Sequence, residues 1–286
     1  MELKTMSASS NNPLAKHFRQ PILYIKLPSQ GRWYPAGTVD IPVTGDIPVY
    51  AMTAKDEITL KTPDALMNGS GTASVIASCC PSIKDPWKMP VVDLDTLLLA
   101  IRLATYGKEL DFTATCPHCE TEQEKTLDLT VLMGNIRPGD WATPLQVGDL
   151  SIGLRPHDYE HYNNNNQKSF DEQRLLKAIQ RSDITEEEKN KQIEEIFSKM
   201  LSDTINQFAY SVEYIITADG QKVANPAFIR EFLNNCDKSV WDAIKGKLTA
   251  IKEQSTWNDI HLTCENPECG QDYVVPFVFE QTNFFD

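Results

Sequence analysis

What this chain lacks narrows it first. None of its 286 residues belong to an apolar run long enough to cross a bilayer, which takes about 20 consecutive apolar residues, so no membrane partner is expected. No apolar leader stands among the first residues, and the cysteine count of seven is odd. Together these predict free thiols in a reducing compartment, with synthesis and assembly in a cytoplasm, rather than a disulfide framework. Positive charge is also scarce: 27 Lys and Arg against 40 Asp and Glu leave a net charge of −13. Such a surface repels a phosphate backbone and no basic run compensates, so no nucleic-acid partner is expected. Also missing are a Walker loop, a G-x-S-x-G elbow, a dinucleotide fingerprint and an H-E-x-x-H helix, and no carboxylate pairs with a histidine in a catalytic spacing. No catalytic residue can therefore be named, and the chain is expected not to be an enzyme. Hydrophobic content of 41% with 23% charged residues is ordinary for a globular protein that buries a real core.

Against these absences stand two cysteine knuckles, Cys116-Pro-His-Cys119 and Cys264-Glu-Asn-Pro-Glu-Cys269. Two thiolates separated by two to four residues can curl round one edge of a tetrahedral ion, and two such pairs close a four-cysteine site. Strand-like flanks, Asp111–Thr115 with Thr126–Leu129 and Ile260–Thr263 with Tyr273–Phe279, make each knuckle the tip of a β-hairpin. The spacing predicts one structural zinc held by Cys116, Cys119, Cys264 and Cys269. The competing reading is four free thiols in two unrelated turns. His118 could replace a cysteine as ligand but is expected at the exposed tip of its knuckle, and Cys79, Cys80 and Cys236 are expected as buried thiols.

The chain order predicts an α+β protein. Residues 1–20 are polar and Ser/Asn-rich and predict a flexible arm, with Leu14, His17 and Phe18 as its possible anchors. Residues 21–110 form a β-containing region with helices. There a hairpin is expected around Thr44-Gly45-Asp46, a helix capped by Thr53 and Asp56 and stopped at Pro63, another over 72–80, and a largely buried one from Asp93 to Gly107. The split ribbon halves cover 111–133 and 257–280. Between them, 134–256 form a β-hairpin at 145–154 and a mainly helical insertion. Its helices are expected over 171–181, from Thr185 with a face continuing to Val212, from Pro226, and after Asp237, with Ser211–Thr217 turning into a strand. The four asparagines Asn163–Asn166, following His157 and His161, predict a mobile surface loop, although those histidines could meet a metal if the stretch were helical. Trp33, Tyr34 and Trp87 are either exposed anchors or packing under loops.

Three stretches carry a resemblance: Leu27–Gly37 (LPSQGRWYPAG), Val49–Gly69 (VYAMTAKDEITLKTPDALMNG) and Ile83–Gly107 (IKDPWKMPVVDLDTLLLAIRLATYG). They resemble the baseplate hub and hub-assembly proteins of T4-like contractile-tailed phages, most strongly over residues 22–133. The resemblance implies a virion structural or assembly role at the tail baseplate, with other baseplate and tail proteins as partners and no catalysis. A zinc-ribbon adaptor in transcription is the first alternative, and the acidic charge counts against it. A metalloenzyme is the second, and a site closed by four thiolates leaves no open position for substrate.

Overall fold

The computed structural model describes residues 12–62, 68–255 and 259–276. Most of the expected arm, the helix stop at Pro63 and the end of the second ribbon half lie outside them. Among the described residues the chain is α+β, with eight α-helices and four small antiparallel sheets.

The first body is organised around α3 (Leu94–Tyr106), in which Leu97, Leu98, Leu99, Ala100 and Ile101 are all buried. An apolar stripe wider than one helix face must be enclosed on several sides. Around it lie β1 (Pro21–Lys26), β2 (Asp46–Tyr50), α1 (Ala54–Leu60), α2 (Ser70–Cys79) and α4 (Leu129–Asn135), which supply Ile25, Ile47, Val49, Leu60, Ile76 and Leu129 to one core. Thr53 and Asp56 form the expected capping box of α1. The turn expected at Thr44–Asp46 leads elsewhere than anticipated: β2 pairs with β1, Ile25 opposite Ile47, and residues 38–43 run as a loop held by a single bridge from Val39 to Ile83. The apolar alternation of β1 offers Ile25 and Leu23 to the same core face as Ile47 and Val49, and this outweighs the shorter loop closure.

Asp93 occupies the N-cap position of α3 but does not cap it. Its buried carboxylate accepts hydrogen bonds from Ser29 N (2.7 Å), Ser29 Oγ (2.6 Å) and Tyr34 Oη (3.0 Å). Burial raises the Asp93 pKa to about 6, the three donors working against it. The LPSQGRWY segment is thus knotted onto the first turn of α3. Its Trp33 is a packing residue, meeting Trp141 edge-on at 6.1 Å, and outside the segment Trp87 likewise packs, stacking on Tyr159 at 5.5 Å.

A second core unites β5 (Leu145–Val147), β6 (Leu150–Leu154), β7 (Val212–Ile216) and β8 (Lys222–Val223), a four-stranded meander, with α6 (Glu186–Ser211), α7 (Pro226–Asn235) and α8 (Lys238–Gln254). The capping box Thr185/Glu188, Pro226 at the first turn of α7 and the strand after α6 lie where the sequence puts them. Cys79 and Cys80 are buried, whereas Cys236 is only half-buried at the end of α7.

The asparagine run is a correction. It lies inside α5 (Tyr159–Gln180), a helix of 22 residues. Asp158 caps it by accepting from His161 N at 2.8 Å, and Tyr159 anchors it, buried against Trp87 and reaching Gly69 O at 3.3 Å. Asn163 Nδ2 donates to Asn68 O at 2.7 Å, so a side chain suited to turns is used for tertiary contact instead. Gly69 holds φ 74°, and a Cβ there would lie 2.7 Å from Asn163 Oδ1. Only glycine permits both that backbone and that approach.

Candidate metal centre

Four short strands carry the knuckles. β3 (Glu109–Thr115) pairs with β4 (Glu122–Asp128) in register from Glu109–Asp128 to Thr115–Glu122, leaving Cys116–Thr121 as the turn. β9 (Asp259–Thr263) pairs with β10 (Asp272–Pro276) around the second turn. The turns close alike. Cys116 N donates to Thr121 O (3.0 Å) and Glu120 N to Cys116 O (2.9 Å); Cys264 N donates to Gln271 O (2.9 Å) and Cys269 N to Asn266 O (2.9 Å). One residue past each second cysteine the backbone turns left-handed, at Glu120 (φ 57°) and Gly270 (φ 56°), which aims the two sulfurs of a knuckle the same way.

The four Sγ atoms, contributed by segments about half the chain apart, lie within 4.8 Å of one another. Cys116 faces Cys269 at 3.9 Å and Cys119 faces Cys264 at 3.6 Å. These separations are far beyond the roughly 2.05 Å of a disulfide. They match the edge of about 3.8 Å that bonds of about 2.3 Å give a tetrahedral zinc–thiolate site. Contacts with the Thr121 hydroxyl and amide hold the Cys119 thiol down to about 6. Cys269 is favoured as thiolate by the Gln271 amide, yet burial and the three neighbouring sulfurs push it up to about 12. Four sulfurs so crowded cannot all ionise by themselves, and a divalent cation is the counter-charge such a donor set fits. His118 is exposed and outside the sulfur cluster.

Residues that the sequence pattern did not single out tie the halves together. Buried Gln123 donates from Nε2 to Cys264 Sγ at 2.9 Å, and its Oε1 accepts from Glu265 N at 3.2 Å. Lys125 pairs with Glu265 at 2.5 Å. Asn266 Nδ2 reaches Thr121 Oγ1 at 3.4 Å. The available signal was phase: along β4 the inward positions carry Gln123 and Lys125 where a core strand would carry apolar residues. Beneath the sulfurs the packing is thin, with buried Ala114 and Tyr273 flanked by Phe112, Leu262 and Val275.

The two histidines read as possible ligands do not join a metal cluster; among the described residues the four cysteines form the group able to hold an ion. His157 Nε2 lies 2.7 Å from Ser211 Oγ, and the His161 ring stacks on Tyr210, whose hydroxyl donates to Asp158 at 2.7 Å. The described helices include none long and apolar enough to cross a membrane.

No curated protein and no solved structure matches the chain. A family model described as T4 bacteriophage base plate protein matches residues 34–286, so the likeness reaches well beyond residue 133 and takes in both knuckles. The chain therefore belongs to the T4 bacteriophage base plate protein family.

Proposed function

We propose that the protein is a non-enzymatic structural or assembly component of a contractile tail baseplate, in its hub or wedge region, and that one structural zinc held by Cys116, Cys119, Cys264 and Cys269 joins its distant segments. The observation that carries the reading is the convergence of four thiols at tetrahedral spacing from two knuckles whose facing sulfurs are 145 and 153 residues apart. When bound, the ion supplies the positive charge that keeps all four sulfurs as thiolates and cross-links the two hairpins. The chain's own residues position the donors: left-handed Glu120 and Gly270 turn the knuckles, and Gln123 holds Cys264. Four protein ligands leave no position for substrate, which supports a staple rather than a catalyst. Family membership supports a place in the virion tail with other tail and baseplate proteins as partners. Assembly takes place in the host cytoplasm, without nucleic acid or membrane.

Metal analysis of the purified full chain tests the staple. A single zinc per chain is expected, and Cys264→Ser is expected to lose it and to lower the melting temperature; unchanged zinc content and melting would sink the shared site. Quantitative mass spectrometry of gradient-purified particles tests the role. A fixed copy number makes the protein a built-in component, and absence combined with failed tails on gene deletion makes it an assembly factor. Absence with normal tails overturns the baseplate role.

A further inference from the structure

The arm formed by α5 and α6 has two unlike sides. Toward α6, α5 buries Glu172 and Ile179. On the opposite side Phe170, Arg174, Lys177 and Arg181 recur at i, i+4, i+7 and i+11, the spacing of one helix face. They line a shallow groove of about 350 Å³, which a neighbouring cleft of about 460 Å³ extends past Asn163 and Asn166. Phe170 is 56% exposed. All three cations are exposed and, among the described residues, none enters an ion pair, whereas Lys168 on the same helix is paired with Asp203. Asp171 stands at the margin of the second cleft as its acidic member. On a molecule of net charge −13, a face that gathers unpaired cations beside an uncovered aromatic ring is a local reversal of sign.

We propose that this face of α5 docks an acidic, amphipathic segment of another tail protein, its carboxylates lying along Arg174, Lys177 and Arg181 and an apolar side chain covering Phe170. Charge complementarity selects the partner: three cations on one face suit carboxylates presented by a helix, and the overall negative charge disfavours a polyphosphate chain, which spans more of the surface than this strip. A ring at the centre with charges around it is the arrangement in which an aromatic anchor supplies affinity and the charges supply orientation. The inference rests on family membership for the kind of partner and is independent of the metal reading, since zinc content is unaffected by its failure.

The test places the photo-cross-linker p-benzoylphenylalanine at position 178, exposed in the groove, in the otherwise intact chain. It is irradiated both in infected cells and in gradient-purified tails, with the joined peptides identified by mass spectrometry. The expected product joins position 178 to an Asp/Glu-rich segment of a different tail protein. Its yield is expected to fall about tenfold or more with Arg174→Glu, Lys177→Glu and Arg181→Glu combined, and measurably with Phe170→Ala, at unchanged zinc content and melting temperature. Because Phe170→Ala leaves the charges alone, it keeps the test decisive if the triple variant misfolds. A cross-link to a neutral or basic segment, to a second copy of this chain or to nucleic acid, or none in either sample, overturns the proposal.

Discussion

Glu120 and Gly270 stand at the same point of their knuckles, and both hold a left-handed backbone, φ 57° and 56°. That conformation costs an L-residue about 1–2 kcal/mol, while glycine gives back roughly 0.5–1 kcal/mol of chain entropy. Glu120→Gly is therefore expected to stabilise the first hairpin by about 0.5 kcal/mol. Gly270→Ala, where a Cβ meets nothing within 4 Å, is expected to destabilise the second by about 0.5–1 kcal/mol, the left-handed strain less the chain entropy that glycine costs. Hydrogen exchange of the hairpin amides reads both. Gln123 acts differently, through Cys264. Gln123→Leu keeps the bulk but removes the N–H···S bond and the acceptor for Glu265 N. Partners that orient a metal ligand are worth roughly 10–100-fold in affinity, so a loss of about tenfold is expected in competition with a chromophoric chelator. An unchanged affinity would show that the knuckles hold Cys264 without it.

The junction of α5 with α6 is where an element responds to acid. His157 is packed against Ser211 and the Gln207 carbonyl of α6, with the His161 and Tyr210 ring centroids at 4.8 and 5.4 Å in edge-on geometry, and Arg155 and Asp158 as the nearest formal charges. Burial first, then the neighbouring His161, lower its pKa from 6.5 to about 4. The fold therefore favours the neutral ring. Its contribution is present above about pH 6.5 and is lost as pH falls toward about 4, on the order of 3 kcal/mol in all. Asp93 has the opposite sign: raised from 3.8 to about 6, it contributes stability that is present below about pH 4 and lost as pH rises through 6. The difference between wild type and His157→Gln isolates the histidine. The variant is expected to lose less stability between pH 6.5 and 4 in urea titrations, and parallel curves would show that His157 does not drive the change.

For the whole molecule the decisive feature is an uneven core. The α3-centred body and the α6–α8 body each bury many large apolar side chains, whereas the ribbon buries few. If zinc fills the four-cysteine site as proposed above, a unit with so small a core depends on that metal, and units with full cores do not. Zinc removal by a strong chelator is expected to open the β3/β4 and β9/β10 hairpins to proteolysis while leaving most of the far-ultraviolet helix signal. Collapse of that signal would mean that the staple supports the two bodies as well.

The sequence by itself determined what local chemistry decides. Cysteine spacing marked the four sulfurs, capping boxes at Thr53/Asp56 and Thr185/Glu188 started their helices, and an apolar stripe wider than one face made α3 a buried helix. Segments resembling baseplate proteins pointed to the family that the chain matches. What the tertiary structure decided lies between distant segments, where pattern carries no information about partners. It paired β2 with β1 instead of with residues 38–43. It drew the asparagine run into α5, because Tyr159 and Asn163 found contacts at Trp87 and Asn68 that outweigh the turn preference of asparagine. It brought Gln123 to Cys264 across 141 residues. The helix expected over 171–181 already sets Arg174, Lys177 and Arg181 in one row, and only its extension back to Tyr159 adds Phe170 and the asparagines to that face.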